Sequence, residues 1–89
     1  MKKHNLPEYM QIVVNEILSK KESILFLSFC IENEIPIYKK TYSFFKKYKY
    51  YCWDGKEITR VDDLSYGKPI NLKEFKELAL IENKPTNYN

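Results

Sequence analysis

Glu22-Ser23-Ile24-Leu25-Phe26-Leu27-Ser28-Phe29-Cys30-Ile31-Glu32-Asn33 is the most apolar run in the chain, and the fold turns on whether it is a helix or a central strand. It is apolar on most sides, so periodicity alone does not separate the two. A length of about twelve, Glu22 at the front and Asn33 shortly before Pro36 favour a helix, broken around Glu34 to Ile37 because proline disfavours helix in the residue before it. Either way the segment supplies the core. It is not expected to be a secretory leader, since it starts well inside the chain and runs into Glu32 and Glu34 without a small-residue cleavage site.

On the N-terminal side, Asn5-Leu6-Pro7-Glu8 has the form of a capped helix start. Leu6, Met10, Val13, Val14, Ile17 and Leu18 then recur at spacings of three and four. This predicts a first helix from about Leu6 to Lys20, with Lys20 and Lys21 favourably placed at its C-terminal end. On the other side, Lys39, Lys40, Ser43, Lys46 and Lys47 would share an arc of about 120° if Tyr38 to Lys49 is helical. Tyr38, Thr41, Tyr42, Phe45 and Tyr48 would fall opposite, making an amphipathic basic helix.

Further on, Tyr50 to Trp53 and Lys56 to Val61 flank Asp54-Gly55, a strong hairpin signal. Trp53 and Lys56 are expected to close the turn, with Cys52 and Ile58 on the core face. Asp62 to Pro69 reads as a polar loop. Asn71-Leu72-Lys73-Glu74 repeats the capping arrangement and opens a last helix running to about Glu82, with Leu72, Phe75, Leu78 and Ala79 facing inward. The expected architecture is therefore α+β: a small helical domain of three to four helices with one β-hairpin. Residues 6–82 form the domain and 1–5 and 83–89 are tails.

Composition narrows the classes. With 89 residues there is room for one core, and 44% hydrophobic and 16% aromatic residues with only 2 glycines exclude low-complexity disorder. No apolar run approaches the ~20 residues of a membrane span. Cys30 and Cys52 lack CxxC spacing and sit among apolar neighbours. Two buried reduced thiols in a cytoplasmic protein are expected, a single disulfide being the alternative.

No catalytic constellation is expected. The one histidine, His4, lies ahead of the first expected helix, where nothing would hold it rigidly as a base. Gly67-Lys68-Pro69 lacks the glycine and the Ser or Thr of a phosphate loop and reads as a turn. Asp54, Glu57, Asp62 and Asp63 lack the spacing of a calcium loop and read as solvated acids. Neither cofactor nor metal is expected.

Charge is more informative than its net value of +3. Five lysines and no acid fall between Tyr38 and Tyr50, interleaved with aromatics. Such lysines neutralise phosphates, and exposed tyrosines stack on unpaired bases. A solvated charged face is the ordinary alternative. Arg60 is the one arginine against fourteen lysines, which disfavours guanine-reading DNA recognition relative to backbone binding. The expected order of helix, helix, turn, basic helix and hairpin resembles the winged helix-turn-helix over residues 6–61. Tyr38 to Lys49 would take the recognition position, and Lys56 and Arg60 would lie on the wing. The chain departs from that pattern in having Pro36 and no glycine in the turn, and acids flanking the wing.

The expected function is a small non-catalytic nucleic-acid-binding or regulatory module. Its contact residues would be Lys39, Lys40, Ser43, Lys46, Lys47, Lys56, Arg60 and Tyr51. The alternative is a phage or mobile-element protein of anti-defence type that binds and inhibits a host macromolecule through a Lys/Tyr surface, its partner an acidic or nucleic-acid-binding protein.

Overall fold

A computed structural model describes residues 4–42 and 47–80. Among these residues, two helices and four strands follow the order β1 (Ile12–Val14), α1 (Lys20–Glu32), β2 (Tyr50–Trp53), β3 (Ile58–Val61), β4 (Lys68–Ile70) and α2 (Leu72–Ala79), with 3₁₀ turns at Lys39–Tyr42 and Leu64–Tyr66. The strands form one mixed sheet in the order β3-β2-β1-β4, β1 running antiparallel to β2 and parallel to β4. The fold is α+β, but it is not a domain of three to four helices with one hairpin, and the described residues contain no helix-turn-helix.

The expected first helix is the main correction. Ile12-Val13-Val14 is a β-branched strand buried on both sides: Ile12 and Val14 face the main core, while Val13 joins Cys52 and Val61 on the opposite side. Three consecutive buried residues suit a central strand and not one face of a helix. Ahead of it, residues 5–11 run without helix through a turn at Tyr9, tied by Asn5 N–H to the Ala79 carbonyl. Lys20 and Lys21 therefore open a helix rather than close one.

The deciding run is helical, as expected. Ser19 accepts from Glu22 N–H and Glu22 accepts from Ser19 N–H, a capping box that starts α1. Phe26 and Cys30 point inward, and Phe26 packs against Tyr51 and against Phe75 of α2, with ring centroids at 4.9 and 5.4 Å. Truncating such a fully enclosed ring to alanine costs about 3–5 kcal/mol. The helix ends in a Schellman arrangement: Ile35 N–H bonds to Cys30 O and Glu34 N–H to Ile31 O, with Glu34 at φ 54°.

The basic helix is also corrected. Lys39–Tyr42 is a 3₁₀ turn, Lys47 lies in a turn, and residues 48–49 are not helical. Ser43 and Lys46 lie outside the described residues. Tertiary bonds hold the start of this segment against the edge of β3: Ile58 N–H donates to Pro36 O, and Tyr38 N–H and the Thr41 hydroxyl both donate to Ile58 O. A chain bonded in this way has given up its helical ladder.

The hairpin forms, two residues out of the expected register. Trp53 pairs with Ile58, and Asp54 and Glu57 bracket the turn, with Asp54 Oδ1 accepting from the Lys56 and Glu57 amides. Ile58, opposite Trp53, joins it and Tyr51 in the main core, while Cys52 alternates with both along β2 and falls on the other side. The expected loop over Asp62–Pro69 holds a 3₁₀ turn and β4. The capping box Asn71–Glu74 opens α2 as expected, and Glu16 adds a carboxylate that accepts from Leu72 N–H at 2.7 Å. That helix stops at Ala79, and Leu80 bridges to His4. Leu72 is half-buried and Leu78 exposed, so Phe75 and Ala79 carry its inward face.

Candidate functional site

The face of the sheet away from α1 and α2 carries an open depression of roughly 490 Å³. Val61 and Cys52 form its floor. Lys47, Tyr48, Thr59, Arg60 and Tyr66 surround it, together with Asp54 and Asp62. Each wall has a local cause. Thr59 alternates with Arg60 along β3, an edge strand, and Arg60 lies in register with Tyr51, its guanidinium 5.2 Å from that ring. Tyr66 ends a 3₁₀ turn capped by Asp63, whose carboxylate accepts from the Ser65 amide and hydroxyl. Those bonds hold the Asp63 carboxyl below its usual range. Lys47 sits over the Tyr48 ring at 5.2 Å.

Of the expected contact residues, Lys47 and Arg60 both line this depression, but Arg60 turns its guanidinium to the other face, over Tyr51, where Nε and Nη1 are buried. Lys39 and Lys40 are exposed on the 3₁₀ turn, away from its lining, and Lys56 is exposed in the hairpin turn. Tyr51 is 2% exposed, enclosed by Phe26 and Arg60, so it has no surface for a partner. Tyr66, by contrast, is 55% exposed. Sequence reading passed over Thr59 and placed Tyr48 on a helix stripe. The signal that identifies Thr59 is its alternation with buried Ile58 in a half-buried strand.

A second cleft, of roughly 530 Å³, lies between the N-terminal segment, the end of α1 and the hairpin turn, with His4, Glu8, Tyr9, Glu34, Trp53 and Lys56 in its lining. His4 is not in a loose tail. It is 5% exposed, its Nδ1 accepts from Leu6 N–H at 3.2 Å, and its ring meets Trp53 edge-on at 5.4 Å. The expectation that nothing holds this imidazole is therefore overturned. Trp53 Nε1–H donates to Pro7 O, pinning the same segment from below. Among the described residues, no group of three or more His, Cys, Asp or Glu is placed to hold a metal ion.

Cys30 and Cys52 are free thiols in separate clusters on opposite sides of the sheet. Burial pushes the Cys30 thiol up to about 12, with a smaller opposing effect from Lys76. Burial and then the Asp54 charge push Cys52 up to about 11. Both are poor nucleophiles. No described helix is long and apolar enough to cross a membrane. Compared with known proteins, the chain matches no family model, and no curated protein or solved structure matches it.

Proposed function

We propose that the protein is a small non-catalytic binding module of the cytoplasm that engages single-stranded nucleic acid across the open face of its sheet. The observation that carries this reading is the grouping of exposed Lys47 with Tyr48 and exposed Tyr66 around one depression. Lys47 there would neutralise a phosphate and Tyr66 would offer a ring for an unpaired base, a sequence-tolerant mode of binding. The site is rebuilt from the sheet rather than from a lysine-rich helix, and Lys39, Lys40 and Lys56 would add only long-range attraction.

Fluorescence anisotropy with a labelled twelve-nucleotide strand tests it. Affinity is expected to fall steeply between about 50 and 200 mM salt and to drop about tenfold or more in Tyr66→Ala. Lys47→Gln should weaken binding and flatten its salt dependence. Binding that is absent, or indifferent to both substitutions in folded protein, overturns the reading.

One observation favours the second reading, in which the depression meets an acidic or nucleic-acid-binding protein of a host and inhibits it. Asp54 and Asp62 share the lining with Lys47 and Arg60, and mixed charge suits a protein surface better than a phosphate chain. A partner held through high salt and lost in Tyr66→Ala, with no oligonucleotide binding, would select it.

A further inference from the structure

Helix α1 is apolar on both sides but packed on one. Ser23, Phe26 and Cys30 are buried, while Ile24, Leu25 and Ile31 are 57%, 59% and 57% exposed. At about 100° per residue, Lys21, Ile24, Leu25, Ser28, Ile31 and Glu32 fall within an outward arc of about 120°, and all six are exposed. A helix apolar all round is normally enclosed, and large apolar side chains gathered exposed on one helix face mark an association surface.

The order of residues on this stripe identifies its occupant. Lys21 stands at one end and Glu32 at the other, so two copies laid antiparallel about a two-fold axis bring each Lys21 against the Glu32 of the other chain. The same register sets Leu25 opposite Ser28, a large side chain against a small one, at both symmetry-related positions. Ile24 and Ile31 then flank the axis. A patch complementary to itself in charge and in size is what a two-fold interface requires. We propose that the protein forms a two-fold homodimer through antiparallel pairing of its α1 helices. The stripe lies on the helix side of the sheet, away from the depression, so a dimer would leave both depressions open.

Sedimentation velocity and light scattering from about 5 µM to 1 mM test the pairing. A single helix pair is a small interface, in the class of weak, transient association, so a concentration-dependent monomer–dimer equilibrium is expected. Leu25→Lys, at an exposed position, should leave the circular dichroism unchanged and abolish the dimer. Lys21→Glu alone and Glu32→Lys alone should each weaken dimerisation severalfold, by placing like charges together twice. Mixing the two single variants should restore it, because each pair is then of opposite sign. A wild-type protein that stays monomeric to 1 mM overturns the proposal, and so does a dimer insensitive to Leu25→Lys or not restored by mixing. None of these readouts uses nucleic acid, so the outcome is separate from that of the proposed function.

Discussion

Gly55 lies against the backbone of Tyr9: a Cβ on Gly55 would come 2.8 Å from Tyr9 Cα, and the Tyr9 amide donates to Gly55 O at 3.3 Å. Gly55 has φ 99° and Tyr9 φ 64°, so the hairpin turn and the N-terminal segment meet at two positive-φ residues. Gly55→Ala adds both a dihedral penalty and a clash with backbone that has little room to move. A loss of about 2–4 kcal/mol is expected, read as a lowered urea midpoint. An unchanged midpoint would mean the two segments do not meet.

Glu34 closes α1 in a conformation that glycine adopts without strain. Its side chain is exposed, so replacement sacrifices little packing. Glu34→Gly is expected to stabilise the protein by about 0.5–1 kcal/mol, visible as a raised melting temperature. A fall of similar size would count against the Schellman end.

Ser23 is buried inside α1, and its hydroxyl has no hydrogen-bond partner among the described residues. An unpaired buried hydroxyl carries a desolvation penalty, and alanine is the better helix former. Ser23→Ala should therefore raise stability by about 1 kcal/mol, measured by urea unfolding.

The thiols predict a pH dependence of definite sign. Cys30 and Cys52 have raised values in the folded protein, about 12 and about 11 against 9.0 for the free group. Above pH 9 the unfolded chain loses these protons while the folded one keeps them. Their contribution is whole below pH 9 and fades as pH rises through 11 to 12. Cys52→Val should flatten the alkaline decline in urea midpoint relative to wild type. At pH 8 a thiol reagent should label the native protein slowly and the urea-unfolded protein at once.

What could be read from the letters alone is what depends on neighbours in the chain. The apolar run over 22–33 is helical, Asn71 with Glu74 caps α2, and Asp54-Gly55 marks the hairpin, because capping boxes and tight turns are satisfied within a few residues. A local signal was also there to be taken at Ser19 with Glu22, and the β-branched trio Ile12-Val13-Val14 argued against the apparent helical spacing of Leu6 to Leu18. The rest depended on contacts distant in sequence. Val13 and Val14 can both be buried only because helices cover one side of the sheet and Cys52 and Val61 meet Val13 on the other. Tyr38 to Tyr42 abandons a basic helix because Ile58, far along the chain, supplies its hydrogen-bond partner. His4 is held by Trp53 and Leu6, and Tyr51 is removed from the surface by Phe26. Helix spacing records which residues are apolar, but the burial of a strand on two faces is a property of the assembled sheet.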